Sequence, residues 1–144
     1  MAGKFVVAYD GSPSSNRALQ FAVDEARHLD ASIILVHVLE WLPYSFLTVE
    51  ELEERHKRRT EEMERAQKGV LDPVVASLSD TGVSIETLVR YGQVSSTLMD
   101  IIKEKKAAQL FIGKTGQTHL SALVFGSVAS SMAQVTTVPC TIVP

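Results

Sequence analysis

Glycine recurs near the C-terminal end at a spacing that suits an anion: Gly113-Lys114-Thr115-Gly116 and, after nine further residues, Gly126-Ser127. An apolar run, Leu110-Phe111-Ile112, leads in, and a short helical pattern from Val128 to Gln134 leads out. Glycine lets a backbone approach a ligand closely and adopt φ > 0 without steric cost. Amide groups exposed there, with those at the start of the following helix, can hold phosphate oxygens. The stretch reads as a nucleotide phosphate site, in which Ser127 is a hydrogen-bond donor rather than a nucleophile. The Gly-Lys-Thr within it is not a Walker A motif. That loop needs a glycine five residues before Gly113, where Ala108 stands, and its lysine opens a helix after a long loop.

Asp10 is the second chemical candidate, placed directly after the apolar run Phe5 to Tyr9. It reads as a ligand hydrogen-bond acceptor, for ribose hydroxyls or an adenine amine, or as a turn or helix cap. A phospho-acceptor role is disfavoured. That architecture carries its aspartate after the third strand, and Val89-Arg90-Tyr91 has no carboxylate. The four histidines, His28, His37, His56 and His119, have no metal-ligand spacing. His28 and His56 read as solvated helix positions and His37 as structural. His119, between the glycines, reads as surface or as a phosphate contact. No G-x-S-x-G is present, so no catalytic residue is assigned.

These residues need strand ends to carry them. Phe5 to Tyr9 is a continuous apolar run and Ser32 to Val38 is rich in β-branched residues, as in strands buried on both faces of a parallel sheet. Between them Ser12-Pro13 reads as an N-cap and first helical residue, followed by a stripe of Leu19, Phe21, Ala22, Val23, Ala26 and Leu29. Val83 to Val89 predicts a third strand, Val94 to Lys106 a helix, Leu110 to Ile112 a fourth strand, and Val138 to Val143 a fifth. From Thr48 to about Leu78 the pattern is helical, with Glu51–Arg55, Glu54–Arg58, Glu61–Arg65 and Glu64–Lys68 as i,i+4 pairs on a solvated face. Pro73 should kink or restart this helix. The loop before it holds Trp41, Pro43, Tyr44 and Phe46, and reads as core edge, adenine cover or partner surface.

Alternating strands and helices define a three-layer doubly wound α/β sandwich with a mostly parallel sheet and four main helices. Ligands on such sheets sit beyond the carboxyl ends of the strands, where strand order reverses. Asp10, Val38 and Gly113 converge there if strands one and four are neighbours.

At 144 residues the chain fits one domain, 1–144. Apolar residues make up 45% and charged residues 22%, ordinary for a soluble globular protein. A formal charge of −3 gives no support for nucleic-acid or anionic-membrane binding. No apolar run is long enough to span a bilayer, and no signal peptide is visible, so no membrane insertion and a cytoplasmic location are expected. The single Cys140 reads as a small buried hydrophobe in a reducing compartment.

Strand-Asp10-Gly11-Ser12, His37-Val38, Tyr91-Gly92-Gln93-Val94 and the spacing G-x2-G-x9-G-S together resemble the universal stress protein family, of its ATP-binding type. The resemblance covers the whole chain. It implies a five-stranded sheet in the order 3-2-1-4-5 and a homodimer in which the last strands, residues 140–143 here, pair antiparallel. It also implies ATP as cofactor, with AMP or ADP as alternatives and Mg2+ or Mn2+ bridging the phosphates. By the same resemblance Asp10 meets the adenosine by side chain and Val38 by backbone, with Ala8 and Tyr9 beside Asp10. Ile112 packs near base or sugar, and Gly113, Thr115 and Gly116 line the ribose and phosphate side. Gly126, Ser127 and Val128 hold phosphates. Two positions depart from the family pattern: Lys114 and Thr115 stand where a serine and then a histidine or arginine are common, which weakens phosphate contacts unless Lys114 compensates. The implied function is an ATP-binding regulatory stress-response protein, read by an unknown regulatory partner protein, with hydrolysis absent or slow. The alternatives are a nucleotide-free dimeric interaction module and a slow ATPase.

Overall fold

In the computed structural model, which describes residues 3–40, 48–116 and 126–144, the apolar runs become strands and the amphipathic stretches become the helices between them. In chain order these are β1 (Lys4–Ala8), α1 (Pro13–Leu29), β2 (Ser32–Leu39), α2 (Val49–Ala66), α3 (Asp72–Ser77), β3 (Ile85–Tyr91), α4 (Val94–Lys105), β4 (Gln109–Gly113), α5 (Ser127–Val135) and β5 (Cys140–Val143). The five strands form one parallel sheet in the order β3-β2-β1-β4-β5. The expected doubly wound class and strand order are therefore both observed. Order reverses between β1 and β4, whose ends flank the switch point.

The unbroken apolar character of β1 follows from helices on both faces. Phe5 and Val7 pack on one side with Leu19, Ala22, Val23 and Ala26 of α1. Val6 packs on the other with Leu98, Ile101 and Ile102 of α4 and with Ala129 and Met132 of α5. Alternation along a strand puts neighbours on opposite faces, so a strand covered twice has no polar side.

The long helical pattern breaks where proline requires it. Pro73 cannot donate to the carbonyl four residues back, and its ring crowds that carbonyl. The chain answers with a π-helical stretch, Gln67–Leu71, in which the Asp72 N–H reaches back to the Gln67 carbonyl, before α3 restarts. Upstream, Glu54–Arg58 closes at 3.4 Å on the solvated face of α2. Arg59 instead lies over the Tyr91 ring, 4.7 Å from its centroid.

Strands β1 and β4 start one residue earlier than the sequence expectation, and β3 and β5 two residues later. β3 begins at Ile85, not Val83, because Gly82 takes φ 78 and the Val83 N–H donates to Thr81 Oγ1 at 3.3 Å. β5 begins at Cys140, not Val138, because the Val138 N–H donates to Thr136 Oγ1 at 3.2 Å and Pro139 has no N–H. The aromatic stretch Trp41 to Phe46 and the Gln117 to Phe125 stretch with His119 lie outside the described residues. Among the described residues no helix is long and apolar enough to cross a membrane.

Candidate functional site

The end of β1 turns sharply into α1, and side chains satisfy the turn from within. Gly11 takes φ 79, the Ser12 N–H donates to Asp10 Oδ1 at 2.9 Å, and the Ser15 N–H donates to Ser12 Oγ at 3.2 Å. Pro13, first in the helix, has no N–H to satisfy. Asp10 thus serves the turn through one oxygen, while a β-carbon added to Gly116 would stand 3.4 Å from the other, Oδ2. The Tyr9 phenol donates to Asn16 Oδ1 at 2.8 Å. Burial, then the neighbouring Asp10 charge, raises its pKa against the lowering effect of that hydrogen bond.

The end of β2 has a different consequence. In a parallel ladder alternate residues point their N–H and C=O to opposite neighbours. The Ile33 N–H donates to the Ser84 carbonyl and the Gly92 N–H to the Leu39 carbonyl, so odd positions face β3. The Val36 carbonyl accepts from Tyr9 N–H at 2.8 Å, so even positions face β1. Val38 faces the place where β1 has already turned away, and its N–H and C=O take no partner among the described residues.

Beyond β4 the glycines are explained first by packing. A β-carbon on Gly113 would lie 2.5 Å from Ser14 Oγ and 2.8 Å from the Ser14 backbone carbon, so β4 passes α1 at a distance only glycine allows. A β-carbon on Gly126 would lie 3.2 Å from the Gly116 nitrogen, and the Gly126 N–H donates to the Lys114 carbonyl at 2.8 Å. Positive φ is not the reason at Gly126, whose φ is −64. That corrects the sequence expectation: at this position close approach matters, not handedness.

Gly126 is also the N-cap of α5 and offers no side chain to its helix. The first helical bond runs from Ser130 N–H to the Gly126 carbonyl. The N–H groups of Ser127, Val128 and Ala129 therefore have no helical partner.

One cleft of about 450 Å³ collects these features. Ala8, Tyr9, Asp10, Val38, Ile112, Gly113, Thr115, Gly116, Gly126, Ser127 and Val128 all line it. Lys114 does not. It lines a second cleft of about 270 Å³ with Pro13, Ser14, Arg17 and Pro144, and Thr115 and Gly116 line both clefts. Sequence reasoning assigned none of Ser15, Val36, Leu39, Glu40, Val94 and Ala129 to the site and read His37 as structural, yet all seven line the larger cleft. Val94 was detectable as the start of the helix after the third strand, and Ala129 as the third amide of an uncapped helix. Among the described lining residues none is lysine or arginine, whereas Asp10 and Glu40 bring carboxylates.

A parallel sheet of order 3-2-1-4-5, with a cleft over its switch point and an uncapped helix start facing it, defines a doubly wound α/β architecture with an open cleft where such sheets commonly hold ligands. The chain belongs to the universal stress protein family, whose model matches residues 1–144. Among curated proteins it is similar to universal stress protein YxiE of Bacillus subtilis, 26% identical over 99% of each chain. Among solved structures it resembles universal stress protein UspA from Lactobacillus plantarum, with a TM-score of 0.83 at 17% identity over 99% of this chain and 97% of that one. It also resembles the universal stress protein from Archaeoglobus fulgidus in complex with dAMP, with a TM-score of 0.67 at 22% identity over 100% and 98%.

Proposed function

We propose that this chain binds an adenine nucleotide, ATP first and AMP or ADP as alternatives, and acts by binding rather than turnover as a homodimeric regulatory stress-response protein. The observation that carries the reading is the Val38 backbone pair. One donor and one acceptor, left open at the switch point, match the N1 and amino edge of adenine. Across the same cleft the amides of Ser127, Val128 and Ala129 suit phosphate oxygens. The dAMP held by the Archaeoglobus relative supports this class of ligand.

Electrostatics add a condition. Asp10 and Glu40 repel a triphosphate, and no described lysine or arginine lines the cleft to offset it. The sequence of residues 117–125 holds no lysine or arginine either. A divalent cation, Mg2+ or Mn2+, is therefore proposed to enter with the phosphates and be held chiefly by them. The dimer is proposed to form through β5, a sheet edge whose residues are all partly exposed.

A nucleotide-free interaction module is the second reading. It is favoured by the packing at Gly113 and Gly126, which accounts for those glycines without a ligand. Calorimetry with ATP and Mg2+ separates the two readings. Binding by the parent chain, lost in Gly116→Arg, supports the first; no heat with the parent chain sinks it.

A further inference from the structure

We propose that His37 is a positioning residue for the base, resting on the adenine-nucleotide reading above, because it keeps the Val38 N–H open to a ligand. His37 Nδ1 lies 2.7 Å from the Tyr9 carbonyl oxygen. A carbonyl oxygen has no proton to give, so Nδ1 carries the hydrogen and donates. The register explains what that bond prevents. Ala8 lies opposite Val36, and the next bonds of the β1–β2 ladder would run from Val38 N–H to the Tyr9 carbonyl and from Gly11 N–H to the Val38 carbonyl.

Two devices stop the ladder one step short. Gly11, at φ 79, and the Asp10–Ser12 turn carry the Gly11 N–H away, which opens the Val38 carbonyl. The imidazole holds the Tyr9 carbonyl, and the Val38 N–H makes no bond to the second lone pair of that oxygen. Tyr9 itself stays in the sheet through its own N–H on the Val36 carbonyl, so the strand end is anchored while its acceptor is diverted. His37 and Val38 are chain neighbours on β2. One residue thus conditions the hydrogen-bond state of the next, through a carbonyl on another strand. Partly buried backbone groups find partners wherever geometry allows, and withholding the nearest one leaves the donor to the cleft.

The test combines a ligand atom with a residue. 1-Deaza-ATP lacks the N1 acceptor that the Val38 N–H is proposed to meet. The parent chain should bind it about fivefold more weakly than ATP, the share of one neutral hydrogen bond. In His37→Ala the Tyr9 carbonyl takes the Val38 N–H, so ATP affinity falls by about fivefold and the two nucleotides become equal. His37→Asn places an amide N–H at the Nδ1 position and should restore the discrimination. His37→Gln, whose amide reaches past that position, should behave as alanine does and replaces that variant if it does not fold.

An equal loss for both nucleotides, with the parent's discrimination kept, would mean that His37 only supports the fold, and the proposal falls. Amide hydrogen exchange on the ligand-free proteins supplies the independent arm. The Val38 amide should gain protection in His37→Ala and not in His37→Asn. Unchanged exchange overturns the proposal even if ATP binds. A parent chain that binds no nucleotide yet shows the exchange shift retires the adenine reading and leaves the hydrogen-bond switch standing.

Discussion

Two helices start beside the switch point, and they treat their first amides in opposite ways. α1 begins with Ser12-Pro13: the serine hydroxyl accepts from Ser15 N–H, and the proline removes a donor. α5 begins with Gly126-Ser127 and has no side-chain cap, so three successive N–H groups lack helical partners. Both starts carry the positive end of a helix dipole. Only α5 is left with three successive amides that no helical bond takes. The contrast shows that, on a sheet with several helix starts near one cleft, capping chemistry selects the one that remains open. The stress-protein family's glycine spacing reads here as the open choice, and Ser-Pro as the closed one.

The largest expected effect comes from closing α5. Gly126→Asp supplies a cap and a negative charge where phosphate is proposed to bind, and ATP affinity should fall by at least about 100-fold in calorimetry. Its cap gain over glycine is only about a few tenths of a kcal/mol and does not offset crowding against Gly116, so the melting temperature should fall slightly. Gly126→Ala brings the crowding without cap or charge and should retain binding within about tenfold. Equal losses in both variants would mean that packing, not the open amides, makes the site.

Next in size is Gly113→Ala, where the new methyl would meet Ser14 at 2.5 Å. Overpacking of this kind should remove about 2 kcal/mol from the unfolding free energy in urea titration. Residual folded protein should still bind nucleotide, since the clash lies between strand and helix. A stable variant that has lost binding would place Gly113 in direct service of the ligand. Chelating divalent cations ranks third: EDTA should weaken ATP binding about tenfold and leave AMP nearly unaffected, because only the triphosphate needs its charge offset. Equal affinities with and without EDTA would assign charge compensation to the protein alone.

Much of this contrast could be read from the chain before folding. Ser12-Pro13 is a local signal, and the structure shows the expected cap and first residue. The strand order followed from family resemblance, since hydrophobic pattern reports burial and not which strands are neighbours. Lys114 was legible as a cation but not as to its side. Gly113 lines only the larger cleft and Lys114 only the smaller, while Thr115 and Gly116 line both, and residue type alone does not tell which side a side chain takes there. That Val38 meets a ligand by its backbone came from the resemblance alone, and how its backbone is opened was invisible for a related reason. It depends on where β1 stops relative to β2, and on an imidazole 28 positions away in sequence from the carbonyl it binds.

Ser12→Ala is the smallest expected effect and the closest test of the closed helix start. The side chain is 1% exposed and its oxygen accepts the Ser15 N–H, so its removal leaves a buried donor unpaired. Loss of an N-cap of this kind should destabilise the chain by about 1 kcal/mol, read as a lower urea midpoint with unchanged slope. Nucleotide affinity should move by less than about twofold, because the proposed phosphate contacts lie on α5. The informative failure is a gain in affinity. An amide freed at Ser15 would then be holding phosphate, and α1 would have been closed by its cap alone rather than by its distance from the ligand. An unchanged affinity with the expected drop in stability means that the two helix starts are divided by position as well as by capping. Their opposite chemistry then serves two tasks, a fold on one side of the switch point and a ligand on the other.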